Sequence, residues 1–232
     1  MAENPLHWES KFSTEPTYES KNMHPIAEKI LTFWFGTVDL TANIQKRDVW
    51  FKSTPEFDAE LIENFSECHE RAAAGEFDHF RETAAHCLAL IVALDQFPRN
   101  IYRGSAKAFH TDEKACAISH HALAQGFDTH IGLEPRKFFY LPLVHSEKLS
   151  DQELAVENYR AFDDEKSLKS SIGHRDAIRQ FGRFPHRNST LSRTNTPEDD
   201  EYLKTPPTWG MTAAEAAENE KMMAEWVSSA DV

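Results

Sequence analysis

The chain has 232 residues, with 25 Lys+Arg against 38 Asp+Glu, a formal net charge of −13. That length suits one domain, or one and a half, and buries a core without disulfide staples. The 40% hydrophobic and 27% charged fractions are those of a soluble globular protein. So acidic a surface argues against general nucleic-acid binding and against anionic membranes, and 8 glycines are too few for a turn-dense β architecture.

Residues 1–22 are polar and irregular and read as a tail. Regular structure starts near Pro25, where Ile26, Ile30, Phe33 and Trp34 recur at helical spacing and Gly36 stops the run. Ser53-Thr54-Pro55-Glu56 is a cap with proline in the first turn, and Phe57, Leu61, Phe65, Cys68 and Ala72 mark one face up to Gly75. From Phe77 to Leu94 the pattern is helical, and after His86 it is apolar nearly all round, which predicts a central helix. Pro98 is expected to end it, because proline cannot continue a helix. Thr111-Asp112-Glu113 opens a helix to Gly126. Residues 127–149, with Pro135 and Pro142, predict a short helix, a break and a turn. Ser150-Asp151-Gln152-Glu153 reads as a capping box, a further helix spans about 168–181, and Thr196-Pro197 opens a short one. Thr212 and Glu215 form a second box, leading an Ala-rich helix to Trp226. The sum is an all-α protein of eight or nine helices, whose glycine-separated pairs suggest stacked helical hairpins.

Cys68, Cys87 and Cys116 are odd in number and widely spaced, as reduced core thiols of a reducing compartment are. With no secretory signal and no apolar run near ~20 residues, a soluble cytoplasmic protein is expected.

Three segments are unusual for connectors. The first is Leu94-Asp95-Gln96-Phe97-Pro98-Arg99-Asn100, continuing to Arg103; the second is Tyr140 to Glu147; the third is Gln180 to Asn188, continuing to Arg193. The first and third echo each other, with Phe-Pro, then Arg-Asn, then another arginine. Between His174 and Arg193 lie Arg175, Arg179, Arg183, Arg187 and Arg193 against one acid, Asp176, a positive island in an acidic chain. Guanidinium forks match carboxylate or phosphate two bonds at a time. One reading is an anion-binding cleft; the other is that these arginines pair with the chain's own acids, such as Glu198-Asp199-Asp200-Glu201, or cap helix ends. His145, Glu147, His174 and His186 are a loose ligand set without the i, i+4 logic of a zinc helix, so no metal is expected. His145 or His174 beside Glu147 is the better candidate for acid–base work. His110, His120 and His121 look solvated or partner-facing. Trp34, Phe35, Trp50 and Phe51 read first as core and second as a cleft wall. There is no glycine-rich phosphate loop and no nucleophile elbow, and no cofactor is expected.

In Ile30-Leu31-Thr32-Phe33-Trp34-Phe35-Gly36, in Leu94 to Gly104, in Phe139 to Glu147 and in Phe181 to Asn188 the chain resembles the family called domain of unknown function 924. The resemblance covers roughly residues 24–204. It implies an all-helical fold with a tetratricopeptide-like stack of antiparallel hairpins, and carries no established reaction, cofactor or catalytic residue. The expected organisation is a tail at 1–23, the all-helical domain at 24–204 and a helical extension at 205–232.

Two functions follow. In the first, Arg99, Asn100, Arg103, Arg183, His186, Arg187 and Asn188 bind a small anionic molecule or peptide, and His145, Glu147 and His174 move protons. In the second, the chain is an interaction scaffold whose Arg-Asn motifs clamp hairpins together, with the acidic stretch 197–232 facing a basic partner.

Overall fold

Side chains that satisfy exposed backbone donors set most of the helix starts. The His24 ring accepts from the Ile26 amide (3.2 Å) ahead of α1, Pro25–Phe35, and Thr54 accepts from Phe57 (3.3 Å) ahead of α2, Pro55–Ala73. Thr83 caps α3, Ala84–Ile91, after a 3₁₀ turn at Asp78–Glu82, so the single run read from Phe77 onward is two pieces. The structure, a computed structural model, describes residues 23–209, 211–212, 214–219 and 221–222. The tail at 1–22 and the helix end at Trp226 lie outside the described residues.

Beyond α3 the chain does not stop at Pro98. It widens into a π turn, Val92–Gln96, and continues as α4, Phe97–Ile101, in one rod that is buried through Pro98. Proline has no N–H for the carbonyl four residues back, here that of Leu94. The Thr111 hydroxyl donates to that carbonyl instead (2.5 Å). Helix α5, Asp112–Ala124, therefore begins against the turn that proline opens. Pro142 likewise sits inside α6, Leu133–His145, where a break is expected from the sequence. Around it, Ser119 donates to the Phe139 carbonyl and Tyr159 to that of Lys137 (3.2 Å).

α7, Leu149–Arg160, departs from the expected capping box: Lys148 stands at the cap with no side-chain bond, and Asp151 instead accepts from Ser146 (2.6 Å). α8, Glu165–Phe181, is capped by Asp164 and closed by Gly182 at φ 67°, a left-handed turn suited to glycine. α9, Pro197–Tyr202, carries the Thr196/Asp199 capping box, and Thr212 and Glu215 exchange the expected reciprocal bonds (2.7 and 3.2 Å).

The described residues are all-helical, with no strand among them. α5 packs on α6, α6 on α7 and α7 on α8 through short connectors, the condition for antiparallel neighbours. The core centres on Trp34, whose ring meets Phe97 at 5.7 Å and Phe138 at 6.0 Å; Phe138 also meets Phe35 at 5.2 Å and Trp50 at 5.1 Å. Trp34, Phe35 and Trp50 are thus core rings, while Phe51 stays exposed. A smaller cluster of Ala177, Ile178 and Phe184, with Trp209 against it, closes the C-terminal side. No helix among the described residues is long and apolar enough to cross a membrane.

The Leu94–Thr111 bond gives a direct prediction. Thr111→Val keeps the shape and strands a buried carbonyl, so it should lower stability by about 1–3 kcal/mol in equilibrium urea unfolding.

Candidate functional site

The π turn places Asp95 fully inside the protein, where a lone carboxylate would be very costly. Two partners answer it. His145, the last residue of α6, holds Nδ1 at 2.8 and 3.0 Å from the two carboxylate oxygens. Arg99, one turn further along the same rod, sits 3.3 Å from Oδ1 and also donates to the Asp95 carbonyl. Burial alone would raise the Asp95 carboxyl; Arg99 and His145 outweigh it and hold it below its usual range. Burial and the Arg99 charge push His145 down in spite of Asp95, so His145 is neutral at pH 7 and donates from Nδ1.

Arg99 turns its other side to Asp112, in the first turn of α5, at 3.0 and 3.1 Å. Arg187, in the short 3₁₀ turn Pro185–Arg187, approaches the same carboxylate from beyond, at 3.2 Å. The result is an alternating string, His145–Asp95–Arg99–Asp112–Arg187. Arg187 is 6% exposed, and its guanidinium lies between the rings of Phe109 and Phe184, 4.5 Å from each centroid. Asp112 is its one hydrogen-bond acceptor among the described residues, and its buried Nε has none. Burial, with Arg99 adding to it against the pull of Asp112, lowers the guanidinium from 12.5 to about 10. Its charge is therefore under-compensated.

Arg99 and Arg187 of this string line a cleft of about 610 Å³, with Arg103, His174 and His186 beside them and the exposed Glu215 and Glu218, with Trp209 and Met211, on the outside. His174 donates from Nδ1 to the Ser170 carbonyl (2.8 Å), and its ring lies 3.6 Å from that of Trp209 at 22°. Gly173 makes room for this stack, since a Cβ there would stand 3.1 Å from the indole. Burial drives His174 well below its ordinary value and, with Arg187 beside it, His186 to about 4. Both are neutral at pH 7.

The remaining candidates, and Arg103 of the cleft wall, are held by partners within the chain. Asn100 (2.7 Å) and Arg103 (2.9 and 3.3 Å) share Asp58 of α2, and Arg103 also reaches Ser53 (2.6 Å). Arg183 and Asn188 share Asp199 of α9, the latter at 3.2 Å. Glu147 takes both arms of Arg193 (2.8 and 2.9 Å) and the Phe184 amide (2.9 Å). Burial opposes ionisation of Glu147, but Arg193 and that amide prevail and hold its carboxyl low. His145 and Glu147 thus turn to different partners, and His145 reaches the cleft side only through Asp95 and Arg99. Sequence reasoning missed Asp95, Asp112, Phe109 and Trp209 as members of the site. A charged residue inside the apolar stretch Cys87–Phe97 was the one available signal for Asp95.

Asp112 binds two cations at once. Asp112→Asn should destabilise the protein by about 3–5 kcal/mol, the cost of leaving paired charges unanswered, read from urea midpoints. His186 gives a pH prediction. It is neutral when folded and has an ordinary value of 6.5, so between 6.5 and about 4 the unfolded chain binds more protons. The stability it contributes is complete above 6.5 and disappears as pH falls toward 4. His186→Gln should therefore lose less stability than the wild type between pH 7 and pH 4.5, compared by urea unfolding at each pH.

The sequence profile of a family described as bacterial protein of unknown function (DUF924) matches residues 30–207. No curated protein matches. Among solved structures, a protein of unknown function from Agrobacterium tumefaciens, ATU0120, superposes with a TM-score of 0.70 at 36% identity, over 77% of this chain and 96% of its own. The chain belongs to the DUF924 family.

Proposed function

We propose that the cleft binds a small molecule through a carboxylate or phosphate group, with Arg187 as the principal contact. The carrying observation is a buried, under-compensated guanidinium on a cleft, with Nε and Nη2 free of any hydrogen bond to a described residue. Those two nitrogens form one edge of the fork, the edge that pairs with two oxygens of a carboxylate or phosphate. Arg99 and Arg103 add positive charge on the same wall, and Phe109 and Trp209 add apolar surface. His174 supplies the proton chemistry if the ligand is turned over. Its Nδ1 proton is committed to Ser170, which leaves the lone pair on Nε2 as a base. In this reading His145 and Glu147 are positioning residues. His145 steadies Asp95 and Arg99, and Glu147 fixes the 184–193 segment.

The domain limits we propose are 24–204 for the shared helical unit and 205–232 for the extension, whose Trp209, Met211, Glu215 and Glu218 stand at the outer wall. Three free thiols, Cys68, Cys87 and Cys116, support a reducing, cytoplasmic setting. The second reading, a tetratricopeptide-like scaffold with Arg-Asn clamps, is favoured at Asn100, Arg183 and Asn188, which are engaged with internal carboxylates.

Thermal unfolding with inorganic phosphate, pyrophosphate and citrate tests the proposal. A bound anion at roughly 100 times its Kd should raise the wild-type midpoint by about 5–10 °C, and Arg187→Gln should abolish the rise. No rise with any of the three probes, or an equal rise in Arg187→Gln, overturns it. Arg183→Ala should lower stability and leave the response intact.

A further inference from the structure

A thiol, an imidazole and a carboxylate come together outside the arginine cleft, where α5 meets the start of α7. Cys116 and His120 are four residues apart on α5 and so share one side of the helix. Asp151, in the first turn of α7, stands between them: the Cys116 sulfur is 3.3 Å from Oδ2 and His120 Nε2 is 2.9 Å from Oδ1. The three ligand atoms lie within 4.8 Å of one another, the one such cluster of histidine, cysteine and acidic groups among the described residues. Cys116 and Asp151 are buried, while the His120 side chain is 47% exposed. None of the three lines the arginine cleft.

The spacing suits a metal. Zinc holds sulfur at about 2.3 Å, imidazole nitrogen at about 2.0–2.1 Å and carboxylate oxygen at about 2.0–2.2 Å. At tetrahedral angles those lengths put neighbouring donors roughly 3.3–3.6 Å apart. The sulfur and the imidazole nitrogen meet the two different oxygens of one carboxylate at 3.3 and 2.9 Å, and all three ligand atoms lie within 4.8 Å of one another, so an ion between them takes one Asp151 oxygen once that carboxylate turns. Ser146, which donates to Oδ2 at 2.6 Å, is an outer partner that orients the carboxylate. Thiolate with imidazole selects zinc-like ions over magnesium or calcium.

We propose that Cys116, His120 and Asp151 form a three-ligand site for zinc or a similar divalent transition metal, with a water in the fourth position on the exposed side of His120. Binding replaces two hydrogen bonds by metal bonds. The Cys116 thiol proton passes to solvent as the sulfur–metal bond forms; the imidazole, whose single proton sits on Nε2 while it donates to Asp151, releases that proton to solvent and takes one up on Nδ1, so that Nε2 ligates and the net loss is the thiol proton alone.

The test uses the full chain, stripped of metal and titrated with Co²⁺ and, by equilibrium dialysis, with Zn²⁺. The expected result is one equivalent bound, with a thiolate-to-cobalt charge-transfer band. Cys116→Ser should remove the band, and His120→Ala, at an exposed position that leaves folding intact, should weaken Zn²⁺ binding at least tenfold. His121→Ala should change neither. The proposal fails if the wild type shows no thiolate band, if the band survives in Cys116→Ser, or if His120→Ala binds as the wild type does. Those outcomes would leave Asp151 as a plain hydrogen-bond acceptor for Cys116, His120 and Ser146.

Discussion

A carboxylate with no exposed surface cannot stand alone, and Asp95 dictates much of what surrounds it. Moving such a group out of water costs several kcal/mol unless cations and donors replace the solvent. Arg99 and His145 do so, Arg99 then needs Asp112, and Asp112 in turn draws in Arg187. Apart from Asp95–Arg99, which lies within the α3–α4 rod, the links join that rod to the end of α6, to the start of α5, and α5 to the turn at Pro185–Arg187. The string therefore fixes the register of these elements, as the ring cluster around Trp34 fixes their distance. It also explains why guanidiniums remote in sequence reach one cleft.

The echo between Phe97-Pro98-Arg99-Asn100 and Phe184-Pro185-His186-Arg187-Asn188 was legible as a sequence pattern, and the structure gives it geometric content. Arg99 and Arg187 meet on one carboxylate, Asp112. Asn100 and Asn188 each share another carboxylate with a nearby arginine, Asp58 with Arg103 and Asp199 with Arg183. Arg99, Arg103 and Arg187 line a cleft and at the same time hold the chain's own acids, while Arg183 and Arg193 hold acids away from it. What was not legible was which arginine did which. A first-turn acid such as Asp112 is ordinary helix chemistry, and nothing local to it signals a partner 75 residues away. The neighbouring pair His145 and Glu147 was hard for the same reason. Ser146 leaves the helix in an extended conformation (ψ 141°), which sends His145 inward and Glu147 across to Arg193.

Helix boundaries failed where tertiary contacts replaced local ones. Proline rules predict breaks at Pro98 and Pro142, yet hydroxyls from other elements serve carbonyls at or near each site, and both helices run on. Ser150 offers a cap by pattern, but Asp151 is already committed to Ser146, His120 and Cys116, and the helix starts two residues earlier, with Lys148 at the cap. In these places the sequence rule and the packed neighbour compete, and burial decides for the neighbour.

The family match ends at residue 207, while Trp209, Met211, Glu215 and Glu218 form the outer side of the cleft. The outer cover thus lies beyond the stretch matched to the family. A relative with the same guanidiniums and no such cover would show them to open water. Under the proposed anion binding, residence time and tolerance of bulky guests would then differ between chains with and without that cover.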